Sequence, residues 1–119
     1  MRYALLAWVG EEEPLTAVER DRRRAAHVGL EDELQAQGKL VGRARLCAAD
    51  VSTTVRRRGD ELIVADGPNT EINEQLAGFL VVECEHLDEA IGLAAKMPAV
   101  SHGSIEVRPV GDGPKGEDG

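Results

Sequence analysis

A chain of 119 residues, 42% of them apolar, holds one modest core and excludes a second. Fourteen basic against twenty-two acidic residues give a formal net charge of −8, which argues against nucleic acid and anionic membrane surfaces as partners. One Trp, one Tyr and one Phe supply no platform for base stacking, so the core must be built from Val, Leu, Ile and Ala.

The chain opens on an apolar run from Arg2 to Val9, bounded by Gly10 and then Glu11-Glu12-Glu13. It is too short to span a membrane and carries no small-residue cleavage pattern, so it reads as a buried first strand. Pro14 opens a new element. From about Leu15 to Gln37 the spacing predicts a helix: Arg23, His27, Leu30 and Leu34 recur at intervals of four, three and four and share a face, while Glu19, Arg22 and Glu33 point elsewhere. Gly38 stops it. The basic concentration at Arg20, Arg22, Arg23 and Arg24 is interleaved with Glu19 and Asp21 and reads as a solvated helix face.

Leu40 to Cys47 and Ser52 to Arg58 alternate as strands, Arg58-Gly59-Asp60-Glu61 makes a hairpin turn, and Leu62-Ile63-Val64 returns from it. Asp66-Gly67-Pro68 breaks that strand, because Gly permits unusual backbone angles and Pro lacks an N–H donor. A polar stretch from Asn69 to Gln75 leads into Gly78 to Cys84, β-branched and apolar enough for a central strand. A second helix is expected over about Leu87 to Met97, with Asp88 and Glu89 in its first turn, Ala90, Ile91 and Ala94 facing inward and Pro98 as terminator. Ser104 to Val110 alternates as a last strand, and the tail from Gly111 to Gly119 has too little apolar surface to order.

This order predicts an α+β domain with helices on one face of an antiparallel sheet. Apolar residues on both faces of strands such as Phe79 to Val82 then call for a partner on the uncovered side, most simply a second copy of the chain. Cys47 and Cys84 stand alone in apolar runs, without a metal-ligand or redox spacing, and read as buried thiols in a reducing cytoplasm.

The segment Val64 to Phe79, with Asp66-Gly67-Pro68 and Glu74-Gln75-Leu76-Ala77-Gly78-Phe79, resembles the signature of the YCII-related family in its DGPF branch. The resemblance extends over Met1 to Leu6, Glu33-Leu34 through Gly38-Lys39-Leu40, Thr53 to Arg56, Leu87 to Ala90 and Gly103 to Pro109. It implies one YCII-related domain over residues 1–110, a ferredoxin-like sandwich that pairs into a dimeric α/β barrel, and a cleft between sheet and helices. It further implies a His and an Asp as acid–base equipment, carried by position onto His27 and Asp66. Asn69 and Asn73 depart from the Phe and Lys usual there.

His27 has the right chemistry for a general base near neutral pH, but a His on a core-facing stripe also serves as a packing residue. Asp66 before Gly-Pro is equally suited to accepting backbone hydrogen bonds in the turn. His86 and His102 read as exposed, and no His, Cys or acidic spacing points to a metal. Nucleophile elbows, dinucleotide fingerprints and phosphate loops do not occur, so no cofactor is assigned. The chain is expected to be a cytoplasmic homodimer that binds a small molecule, and its catalytic form is a cofactor-independent lyase or isomerase using His27 and Asp66. The alternative is a non-catalytic regulatory module, such as an accessory to an extracytoplasmic-function sigma factor.

Overall fold

The computed structural model describes residues 1–10, 15–69 and 74–111. The break expected at Pro14, the departure at Asn73 and the tail from 112 onward lie outside them. The elements run β1 (Arg2–Val9), α1 (Ala17–Ala36), β2 (Leu40–Arg45), β3 (Thr53–Arg58), β4 (Glu61–Asp66), β5 (Gln75–Glu83), α2 (Leu87–Ala94) and β6 (Gly103–Pro109). Short 3-10 turns at Ala49–Val51 and Pro98–Ser101 precede β3 and β6.

Four strands form an antiparallel sheet in the order β2-β5-β1-β6, while β3 and β4 form a separate hairpin. Both helices pack on one face of the larger sheet. This α+β arrangement is compatible with a ferredoxin-like fold, with the hairpin inserted between β2 and β5.

Alternation along β1 sends Tyr3, Leu5 and Ala7 to the helix side, where they meet Leu80 and Val82 of β5, Leu30 and Leu34 of α1, and Ala90, Leu93, Ala94 and Met97. Leu5, Leu34, Leu80 and Val82 are completely enclosed. Of the inward positions expected on α2, Ala90 and Ala94 hold but Ile91 is 49% exposed. Leu93 takes its place, because three residues on from Ala90 lies nearer the same face than one residue on.

Helix α1 starts where a capping box fixes it. Thr16 Oγ1 accepts from the Glu19 N–H at 3.1 Å, and the Glu19 carboxylate accepts from the Thr16 N–H at 2.9 Å. Two glycines set close strand contacts. A Cβ on Gly103 would lie 2.1 Å from the Trp8 carbonyl oxygen, and one on Gly78 would lie 2.5 Å from that of Ala44. Only the missing side chains let β6 approach β1, and β2 approach β5, at these points.

On the far face of the sheet Ala4, Leu6, Trp8, Phe79 and Val81 are only half-buried. The hairpin packs mainly on itself. Thr53↔Asp66, Val55↔Val64 and Arg57↔Leu62 face each other across it, which puts Val55, Leu62, Val64 and Asp66 on one side. Val55, Leu62 and Val64 are more than half exposed. Cys84 is buried, but Cys47 is exposed, contrary to expectation, because β2 ends at Arg45 and the chain has already left the sheet. Among the described residues no helix is long and apolar enough to cross a membrane.

Candidate functional site

The first half of α1 roofs a cavity of about 470 Å³ at one end of the sheet. Positions 20, 23, 24 and 27 fall on one face of a helix, so Arg20, Arg23, Arg24 and His27 all line it, while Arg22 does not. Arg20, Arg22 and Arg24 are exposed, as the solvated-face reading has it, and Arg23 is half-buried; what that reading does not give is the cavity that Arg20, Arg23 and Arg24 border. The floor comes from Ala7 and Val9 of β1, Ala44 and Arg45 of β2, and Ala77, Gly78 and Phe79 of β5. Leu15, Met97, Pro98, Ala99 and His102 close the sides.

His27 stands on the wall with its side chain 23% exposed. One turn further along α1 lies Glu31, which is 3% exposed, and its Oε2 is 2.9 Å from His27 Nε2. The register of β2 on β5, Arg43↔Leu80 and Arg45↔Gly78, turns both arginines to the helix side of the sheet. Arg43 donates to Glu31 Oε1, and Arg45 Nη2 lies 3.7 Å from the same oxygen. A carboxylate held between two guanidinium groups can only accept, so the proton on Nε2 belongs to His27 and the lone pair is left on Nδ1.

Burial pushes the His27 ring below its ordinary pKa. The Glu31 charge raises it, the Arg45 and Arg43 charges lower it again, and the hydrogen bond to Glu31 raises it. The net direction is downward, which favours the neutral ring at neutral pH. His27 thus combines a fixed tautomer, a neutral resting form and access to a cavity.

Asp66 does not join this group. It is the last residue of β4, exposed, and it neither lines the cavity nor makes a side-chain hydrogen bond or ion pair among the described residues. The turn that it was expected to stabilise is held by other groups: Thr54 Oγ1 donates to the Gly67 carbonyl at 2.7 Å, and the Gly67 N–H donates to the Ser52 carbonyl at 2.8 Å. Gly67 itself has φ +101°, a backbone conformation that needs glycine. Asn69 also has a role, accepting from Arg56 Nη2 through Oδ1 at 2.8 Å.

His102 was expected to be exposed and is instead half-buried in the cavity wall, with Nε2 3.3 Å from Arg23 Nη1. The 3-10 turn before it folds the chain back under α1. His86 is exposed and caps α2, its Nδ1 accepting from the Glu89 N–H at 3.1 Å. Burial raises the pKa of the Cys84 thiol, which keeps it a weak nucleophile. Among the described residues no three His, Cys, Asp or Glu side chains converge as a metal-ligand set.

The residue that sequence reasoning missed is Glu31. Its signal is the spacing of four from His27, joined to the alternation Arg43, Ala44, Arg45 on a neighbouring strand.

The family model for the YCII-related domain matches residues 1–112. An uncharacterized protein of Rhizobium meliloti (strain 1021) is 44% identical over 75 residues, 61% of this chain and 60% of the relative. The match thus spans about three-fifths of the curated relative's length.

Proposed function

Since the chain belongs to the YCII-related family, we propose that the cavity beneath α1 binds a small organic molecule and that His27 moves a proton on it, in a lyase or isomerase reaction that needs no cofactor. The observation that carries this reading is the His27–Glu31 pair at 2.9 Å on the cavity wall. Nδ1 takes a proton from one atom of the ligand, and the imidazolium that forms is stabilised by the Glu31 carboxylate behind it. Return of that proton to another atom completes an isomerisation; its delivery to a departing group completes an elimination. Neither path requires an oxidant or a reductant.

The working unit in this proposal is a cytoplasmic homodimer. The half-covered stripe of Leu6, Trp8, Phe79 and Val81 is the surface for a second copy, in the manner of a dimeric α/β barrel. Asp66 shares its side of the hairpin with the exposed Val55, Leu62 and Val64. Docking of that side against the second copy would bring Asp66 into the assembly, and a part in the acid–base work is assigned to it only there.

The test is the ring-nitrogen spectrum of His27 in ¹⁵N-labelled protein, followed by turnover of His27→Ala on small cyclic acids, lactones and enols without added cofactor. The expected result is an Nε2–H tautomer at pH 7.5 and no turnover by the variant. An Nδ1–H tautomer, or activity equal to that of the unaltered protein, overturns the proposal.

A further inference from the structure

We infer that the ligand of this cavity is an organic anion, a small carboxylate with an apolar body, received by the arginines of α1. The inference rests on the reading of the cavity as a ligand site and adds the chemical class. Acidic residues outnumber basic ones by twenty-two to fourteen along the chain, yet among the described residues the charged side chains that line the cavity are Arg20, Arg23, Arg24 and Arg45, with no carboxylate beside them. The sign of this described lining is thus opposite to that of the protein.

Arg23 and Arg24 stand three and four residues on from Arg20, which brings the three guanidinium groups to one face of α1. An anion bound there meets all three. Several of the guanidinium groups are already oriented: Arg20 Nη1 donates to the Leu15 carbonyl at 3.1 Å, Arg23 Nη1 faces His102 Nε2 at 3.3 Å, and Arg45 leans on Glu31. A guanidinium carries five N–H donors, so the single carbonyl that Arg20 meets among the described residues aims it without exhausting it. Arg24 makes no hydrogen bond or ion pair among the described residues.

The rest of the lining argues for an organic rather than an inorganic anion. Val9, Leu15, Met97 and Pro98 offer a wall that phosphate alone would leave wetted, whereas a ring or a short chain would fill it. An anion held under α1 also lies on the His27 side of the cavity, so the proton that Nδ1 removes would sit near the carboxylate, where the arginines stabilise the negative charge that develops.

The test is an NMR titration of the intact chain with benzoate, its neutral counterpart benzamide, and inorganic phosphate, each up to about 20 mM, a range that reports millimolar affinity. Benzoate should shift His27, Ala44 and Met97 saturably and bind at least about tenfold more tightly than benzamide or phosphate. Arg24→Gln, a change at an exposed position that the fold tolerates, should weaken benzoate about fivefold or more and leave benzamide unaffected. Arg22→Gln, off the cavity, should change neither.

Equal affinity for benzoate and benzamide overturns the anion inference while leaving the ligand site standing. Phosphate binding as tight as benzoate binding overturns the organic part. Absence of any shift in the cavity with all three probes overturns the inference outright, and the His27 tautomer then judges the acid–base reading separately.

Discussion

Glu31 is 3% exposed and holds His27 Nε2 at 2.9 Å from one helical turn away, while Arg43 and Arg45 reach it from β2. Among the described residues these three partners compensate its burial, so Glu31→Gln removes the group that fixes the imidazole and takes the counter-charge from two guanidinium groups. A stability loss of about 1–3 kcal/mol is expected, measured by urea unfolding. In the ¹⁵N spectrum the His27 ring should change from one tautomer to a mixture. His27→Ala should remove about 10²–10⁴-fold of any turnover while costing less stability than Glu31→Gln.

Stability should depend on pH through the same ring. The folded state holds His27 below its ordinary value of about 6.5, so the unfolded chain binds the proton first as the solution is acidified. The His27 contribution is therefore complete above about pH 6.5 and is lost as the pH falls through the lower folded value. The urea midpoint of the unaltered protein should decline over that window. In His27→Gln the decline should be shallower, and an unchanged slope would mean that the ring is not the group responsible.

Gly103 and Gly92 should respond in opposite directions to the same substitution. A Cβ at Gly103 would strike the backbone oxygen of Trp8, which cannot rotate away, so Gly103→Ala should cost about 1–3 kcal/mol or more. Gly92 sits within α2 with nothing within 4 Å of its added Cβ, so Gly92→Ala should raise stability by about 0.5–1 kcal/mol. Thermal unfolding of the two variants side by side checks both.

Element type was readable in the sequence wherever one period dominated. The alternation Tyr3, Leu5, Ala7 and the stripe Leu30, Leu34 gave the sheet and its first helix because each depends only on neighbours along the chain. Glu31 was hidden among twenty-two acids: its burial depends on Arg43 and Arg45, which reach it only through the register of β2 on β5. The stretch from Arg20 to Arg24 is largely solvated, as its charge pattern says, but the cavity beside it was hidden for a related reason. Charge interleaving describes a helix face but says nothing of whether a sheet end and a 3-10 turn enclose it. Ile91 and Leu93 show the limit of a short helix, where eight residues leave the phase of the buried face loosely determined.

The uncovered sheet face yields a test of assembly. Leu6→Glu combined with Phe79→Glu should convert the proposed dimer to a monomer in analytical ultracentrifugation while leaving the helix-side core intact. Sedimentation as a single species of unchanged mass would show that this face is not the interface.

The hairpin leaves and re-enters the sheet at neighbouring points. Arg45 pairs with Gly78, the Leu46 N–H donates to the Ala77 carbonyl at 2.8 Å, and the Ala49 N–H meets Gln75 Oε1 at 3.0 Å. Its two stems are therefore already stitched together before the excursion begins. Such a segment is a cassette: a change in its length should leave the strands that frame the cavity, and with them the histidine and its buried glutamate, in place.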